Sequence, residues 1–240
     1  MKIAYFDCFA GICGNMVLGA MVDAGLDFEW LESEIAKLKV DDYKITHEKV
    51  RRGAISGTKV SVETKEQLIS RGLADIKKIV TESGISGNAK DLSLQIFEDL
   101  ARVEAKIHDI PVCDIHFHEV GAIDSIIDIV GTAVGLDELG VEKIHSSKIH
   151  VGKGSVECTH GTLSVPVPAT LELLRGVPVY STGIEGEMVT PTGAAILKNV
   201  SESFGDMPDM VVEKIGYGAG DKDLGIKSLF RIVLGSTVKG

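Results

Sequence analysis

The chain has 240 residues, of which 44% are hydrophobic and 25% are charged, and its formal net charge is −10. This negative charge argues against non-specific nucleic-acid binding, which relies on Lys and Arg, and against docking on anionic membranes. The chain has no stretch of about eighteen consecutive apolar residues and no secretory signal, so we expect a cytoplasmic protein whose four cysteines are free thiols.

The first half of the chain alternates between strand-like and helix-like segments. Residues 2–8 predict a buried strand, and helical spacing then begins at Asn15, a natural N-cap, and stops near Gly25. Period-two patterns on both sides of "RRGAISG" predict a β-hairpin over 43–64. Apolar residues spaced three and four apart predict further helices over 28–39, 71–82 and 91–109.

The second half begins with a short predicted strand, "DIHFHEV", and a long apolar helix, "IDSIIDIVGTAVGLDEL". Strand- and turn-rich segments follow, then a short helix over 168–175, a strand, loop and helix across "EMVTPTGAAILKNV", and a glycine loop before a final strand. This alternation predicts an α/β (or α+β) fold, a mixed sheet with helices packed on it, and leaves the strand order open. We expect one domain over 1–240, with a helical and hairpin subregion at about 40–110.

A glycine loop follows the first strand in "DCFAGICGNM". Gly11 and Gly14 precede a predicted helix, and the free N–H groups at a helix N-terminus bind anions, which favours a phosphate site that includes Asn15. Two alternatives stay open: a tight turn without a ligand, and a metal pair formed by Cys8 and Cys13.

Histidines concentrate between residues 108 and 160, and two of them alternate along a predicted strand. His116 and His118 project on one face about 7 Å apart at Cα, which suits two imidazole ligands of one metal ion. Glu119 and Asp124 can add oxygen ligands, and imidazole suits nickel as well as zinc. Asp128 follows Asp124 by one helical turn, and two such carboxylates are costly to bury without a cation or donors. Hydrogen-bonded histidines and a solvated helix edge are the alternatives.

Two later segments also suit an anion. "GEMVTPTGAA" places Thr190, Thr192 and Gly193 at a helix start. "GYGAGDKD" is a second glycine loop, in which Lys222 can meet a phosphate.

Five segments, taken in order, resemble the LarC family of nickel insertion proteins: "DCFAGICGNMVLGA", "HFHEVGAIDSIIDIVG", "HGTLSVPVPATLELLRGVPV", "GEMVTPTGAAIL" and "GYGAGDKD". The resemblance runs from Lys2 to about Gly225. The sequence departs from the family pattern at Asn15, where the family's loop reads G-x-x-G-D-M, and it lacks the His-rich insertion of some members.

The resemblance implies insertion of nickel into pyridinium-3,5-bisthiocarboxylic acid mononucleotide, which completes the nickel-pincer cofactor of lactate racemase. It implies a nickel chelatase of the lyase class that depends on CTP and on Mn or Mg, with the nucleotide site in a following C-terminal domain. Because the chain resembles only the N-terminal domain, we expect it to need that C-terminal domain in cis or in trans. It is then either a truncated chain or the product of a split gene, and a homo-oligomer is a further expectation.

The resemblance and the residue chemistry together give an expected site. We expect nickel to be bound by His116, His118 and Asp124, and protons to be handled by Asp7, at the end of the first strand, and Glu119. The substrate phosphate is expected at Gly11, Gly14, Asn15, Thr190, Thr192 and Gly193. The alternatives are a non-catalytic nickel chaperone or scaffold and an unrelated metallohydrolase with an H-x-H site.

Overall fold

The computed structural model describes residues 1–64, 71–117, 122–158, 161–221 and 228–238. The helices of this part are α1 (Gly14–Asp23), α2 (Phe28–Ala36), α3 (Leu73–Glu82), α4 (Gly87–His108), α5 (Ile123–Glu138), α6 (Pro168–Leu173) and α7 (Pro191–Val200). A short 3₁₀ turn lies at Val112–Asp114.

Seven of the strands form one mixed sheet: β1 (Lys2–Asp7), β2 (Tyr43–Arg52), β3 (Ile55–Thr64), β6 (Lys143–Ser146), β11 (Ser203–Phe204), β12 (Met210–Ala219) and β13 (Leu229–Thr237). Their order in the sheet is β11-β6-β1-β13-β12-β3-β2. The other strands form three pairs: β4 (Arg71–Gly72) with β5 (His116–Phe117), β7 (Ile149–His150) with β10 (Val179–Tyr180), and β8 (Ser155–Cys158) with β9 (Gly161–Ser164). The predicted α/β fold with a mixed sheet is therefore confirmed.

Strand β1 lies inside the sheet, which agrees with its continuous apolar run. It pairs in parallel with β6 and antiparallel with β13, and Ile3, Ala4 and Phe6 are fully buried. A strand covered on both faces reads as an uninterrupted apolar segment, as this one does. The predicted hairpin over 43–64 is also confirmed, since β2 and β3 pair along their whole length.

Helix α1 lies against β12, β3 and β13, and glycines on β12 allow it to come close. A Cβ added at Gly218 would lie 1.7 Å from the Met16 carbonyl oxygen, and one added at Gly216 would lie 2.0 Å from the Ala20 carbonyl oxygen. The sequence interpretation assigned all of "GYGAGDKD" to a loop, and this is wrong for its first half, since β12 continues to Ala219. Gly216 and Gly218 belong to this ten-residue strand, where they make room for a helix backbone rather than for a turn. Lys222, which was expected to meet a phosphate, lies outside the described residues.

Helix α5 packs on α1 through two more glycines. A Cβ at Gly131 would lie 2.9 Å from Leu18, and one at Gly135 would lie 2.8 Å from Met21. Asp128 precedes Gly131 by three residues and therefore lies on the same face of α5. This face carries the Asp128 carboxylate to the N-terminal end of α1.

Two predicted helix starts need correction. The N-cap of α1 is Cys13, which makes no side-chain capping bond, so Asn15 lies inside the helix instead of capping it. Helix α4 begins at Gly87 rather than near 91, because the Ser86 side chain accepts a hydrogen bond from the Ala89 N–H at 3.1 Å.

The close approach of α1 and β12 gives a first prediction. Gly218→Ala should lower the free energy of unfolding by about 2–3 kcal/mol, because the new Cβ can be accommodated only if α1 moves off the sheet. Gly87→Ala is the control, since nothing lies within 4 Å of a Cβ there, and it should change stability by less than about 1 kcal/mol. Urea denaturation measures both, and equal stabilities for the two variants would contradict the packing.

Candidate functional site

The N-termini of α1 and α7 lie side by side because the loops that precede them are joined. The Ile12 N–H donates to the Met188 carbonyl at 2.9 Å, and the Thr190 N–H donates to the Ile12 carbonyl at 3.2 Å. Gly11 has a φ of +85°, and a Cβ there would lie 1.9 Å from the Met188 carbonyl oxygen. A Cβ at Gly193 would lie 2.4 Å from the Ile12 carbonyl oxygen. Both glycines therefore hold the two loops together.

A cleft of about 340 Å³ opens where α1, α5 and α7 begin. Its lining includes the expected residues Gly14, Asn15, Asp124, Thr190 and Thr192. Four acidic side chains line it as well: Asp124, Asp128, Glu187 and Asp221. The cleft thus combines the positive ends of three helices with several carboxylates.

Asp128 is seated directly on the N-terminus of α1. A Cβ at Gly14 would lie 2.5 Å from Asp128 Oδ2, so only glycine leaves room for this carboxylate. The Asn15 N–H donates to it, while Oδ1 is buried and accepts no hydrogen bond from the part of the chain that the structure describes. Burial raises the pKa of Asp128 well above its usual range, and the negative charges of Asp124 and Asp221 raise it further.

The position of Asp128 occupies part of the expected phosphate site at the start of α1. An N–H at the start of α1 that was expected to meet a phosphate already donates to the Asp128 carboxylate. Thr190 caps α7, since its hydroxyl oxygen accepts from the Gly193 N–H at 3.1 Å, and the side chain of Thr192 is 8% exposed. The start of α7 also lines the cleft, through Thr190 and Thr192.

Asn15 links the cleft to the end of β12. Its side-chain oxygen accepts from the Cys13 thiol at 2.8 Å, and its amide nitrogen donates to Asp221 Oδ2 at 3.1 Å. Lys59 pairs with the other oxygen of Asp221 at 2.8 Å. An acid in place of Asn15, as in the family pattern, would lose the donor to Asp221 and add a fifth carboxylate.

The cysteines do not form a thiolate metal pair. Burial raises the pKa of Cys13 to about 12, and burial also raises the pKa of Cys8. Both are therefore protonated thiols at neutral pH, whereas a metal binds the thiolate. All four cysteines are free, as the sequence predicted.

The other expected site residues lie elsewhere. Asp7 forms an ion pair with Arg231 on the neighbouring strand β13 and is not part of the cleft lining. His116 is exposed on β5, opposite Gly72, and does not line the cleft either. His118 and Glu119 lie outside the described residues. Among the residues that are described, no three His, Cys, Asp or Glu side chains are grouped so that they could hold a metal ion.

The site expected from the sequence leaves out three of the four acids in the cleft. Asp128 had a local signal, since it follows Asp124 by one helical turn, but it was not retained as a site residue. Glu187 lies inside "GEMVTPTGAA" and Asp221 inside "GYGAGDKD", and only the fold brings these two segments together.

A protein family described as nickel insertion protein matches residues 4–240 of this chain. The chain belongs to this family. The pyridinium-3,5-bisthiocarboxylic acid mononucleotide nickel insertion protein of Desulfitobacterium hafniense (strain DSM 10664 / DCB-2) is 51% identical over 235 residues, covering 98% of this chain and 58% of the relative. A protein of the same name from Acetivibrio thermocellus is 48% identical over 247 residues, covering 98% and 61%.

The chain thus spans about three fifths of the length of these curated relatives. No solved structure matches it. None of the described helices combines the length and the apolar character needed to cross a membrane.

The seating of Asp128 gives a second prediction, for protein kept in a metal chelator. Because the folded-state pKa is raised, the native protein keeps a proton that the unfolded chain loses above about pH 4, so wild-type stability falls as the pH rises from there. Asp128→Asn removes this pH dependence, because the amide does not ionise. Its free energy of unfolding at pH 7.5 should exceed that of wild type by about 1 kcal/mol or more. Thermal melts from pH 5 to 8 measure the difference, and parallel curves for the two proteins would contradict the assignment.

Proposed function

We propose that this chain takes up nickel and inserts it into pyridinium-3,5-bisthiocarboxylic acid mononucleotide, the reaction named for its relatives. The observation that carries the proposal is family membership: a relative with that name is 51% identical across 98% of the chain. The acid-lined cleft at three helix N-termini supports it, because a metal cation and an anionic ligand both find complementary groups there.

The chemistry of the named substrate fits the two sides of the cleft. Thiocarboxylic acids and a nucleotide phosphate are anionic at neutral pH, so the substrate is an anion overall despite its pyridinium ring. We assign its phosphate to the start of α7, where Thr190 and Thr192 line the cleft and Gly193 allows the close loop contact. Gly14 lines the same cleft, Gly11 allows the close contact of the two loops, and Asn15 donates to Asp221.

The nickel ligands remain those proposed from the sequence: His116, His118 and Asp124. Of these, Asp124 lines the cleft. Asp7 and Glu119 remain the proposed proton-handling groups. Asp7 forms an ion pair with Arg231, and Glu119 lies outside the described residues.

The activity we propose is that of a nickel chelatase, in the lyase class. The dependence on CTP and on Mn or Mg is proposed for the part of the relatives that lies beyond this chain's match, acting in cis or in trans. Homo-oligomer formation and a cytoplasmic location stay predictions.

A non-catalytic nickel scaffold is the second candidate. Among the described residues, no three His, Cys, Asp or Glu side chains are grouped so that they could hold a metal. A site with fewer protein ligands binds nickel weakly, and weak binding favours a protein that only presents the metal. Membership of the nickel insertion family removes the unrelated metallohydrolase from consideration.

The third prediction tests whether nickel insertion needs both this chain and the remaining part of its relatives. The 240-residue chain should hydrolyse no CTP on its own. Mixed with the remaining part of the Desulfitobacterium hafniense relative, NiCl₂, CTP and substrate, it should form the nickel complex, detected by absorption spectroscopy and mass. Nickel transfer to the substrate is the chelatase outcome, nickel binding without transfer is the scaffold outcome, and robust CTP hydrolysis by the chain alone contradicts the assignment.

The fourth prediction tests the histidines. A double variant, His116→Ala with His118→Ala, should bind nickel at least about tenfold more weakly than wild type in a calorimetric titration, because two imidazole ligands are lost. His108→Ala removes another histidine near the end of α4 and serves as the control. An unchanged affinity in the double variant would eliminate the histidines as ligands.

A further inference from the structure

One buried oxygen in the cleft lacks a partner. Asp128 Oδ1 is fully enclosed and receives no hydrogen bond within the described residues, although its carboxylate lines the cleft. The Asn15 N–H donates to this carboxylate and so satisfies only part of it. An ionised carboxylate is costly to hold in this way unless a cation or a donor completes it.

A second carboxylate stands one turn away on the same face of α5. Asp124 is exposed and accepts the Ser125 N–H at 2.7 Å. No ion pair joins Asp124 or Asp128 to a cationic side chain of the described residues, whereas Asp221 across the cleft has Lys59 at 2.8 Å. The cleft carboxyl groups that lack a cationic partner among the described residues therefore include both acids of α5.

From this geometry we infer that Asp124 and Asp128 together bind one divalent metal cation in the cleft. The cation's remaining coordination positions are open to water or to an anionic ligand. The inference deepens the proposed function, on which it rests for the identity of the anionic ligand. It adds Asp128 to Asp124 as a metal ligand, and it makes the cleft the place where metal and substrate meet.

The burial of one oxygen and the presence of two carboxylates indicate which kind of cation the site binds. A buried oxygen can be reached by a small ion but not by a bulky ammonium group. Two carboxylates suit a divalent cation that keeps several waters, such as Mg²⁺ or Mn²⁺, and nickel binds such sites more tightly than manganese does. A site with only two protein ligands also releases its metal readily, which transfer to a substrate requires.

The site further explains how an anionic substrate enters an acidic cleft. The ionised carboxylates of the cleft would repel thiocarboxylates and a phosphate. A divalent cation on α5 displaces the proton of Asp128, neutralises the two carboxylates and presents positive charge to the substrate.

The test uses MnCl₂ and NiCl₂ as probes of the 240-residue chain. Electron paramagnetic resonance measures the loss of the free Mn²⁺ signal, and Ni²⁺ is then added as a competitor. Wild type should bind one Mn²⁺ that Ni²⁺ displaces. Asp128→Asn and Asp124→Asn should each weaken Mn²⁺ binding at least tenfold. Asp209→Asn, which removes an exposed acid elsewhere, should stay within twofold of wild type.

Asp124→Asn keeps the test decisive if Asp128→Asn proves poorly folded, because Asp124 is exposed. Wild-type affinity in a folded Asp124→Asn or Asp128→Asn variant would overturn the inference. So would binding that is lost only in the His116→Ala, His118→Ala double variant.

The same variants separate this inference from the proposed function. Nickel transfer to the substrate that survives in Asp128→Asn would overturn the cation site and leave the proposed function standing. Loss of Mn²⁺ binding in both α5 variants supports the cation site, even if the wild-type chain transfers no nickel in the complete mixture.

Discussion

The contact between Gly14 and Asp128 is the constraint on which the site depends. Asp128 reaches the N-terminus of α1 only because Gly131 and Gly135 let α5 lie close to α1, and because Gly14 has no Cβ. A negative charge at a helix N-terminus is favoured by the helix dipole, but burial works against it. The result is a carboxylate held in a fixed place with one oxygen that has no hydrogen-bond partner among the described residues, and such local conflicts are typical of functional sites.

A second contact, between the loops that precede α1 and α7, completes the cleft. The joined loops at Ile12 and Met188 place the start of α7 beside the start of α1, so an anion-binding helix end lines the same cleft as the acids of α5. Such a combination suits a reaction in which a cation is transferred to an anion. The protonated thiol of Cys13 leaves oxygen, not sulfur, as the protein's donor in this cleft, and the thiocarboxylates of the proposed substrate supply the soft ligands.

Much of the fold could be predicted from the sequence, because periodic apolar patterns decide strands such as β1 and helices such as α5. The strand β12 could not, because its glycines are typical of a loop and only the backbone of α1 explains them. The start of α7 at Thr190 could be predicted from local chemistry. The acidic cleft could not, since Asp128, Glu187 and Asp221 come from three distant segments and no spacing relates them. Asn15 looked like a cap, yet its tertiary bonds to Cys13 and Asp221 determine its place.

The most direct test of this account is a crystal structure of the chain soaked in MnCl₂, with anomalous diffraction locating the metal. The account predicts one anomalous peak between the carboxylates of Asp124 and Asp128, about 2.2 Å from Asp128 Oδ1. A single peak at His116 with none on α5 would contradict it.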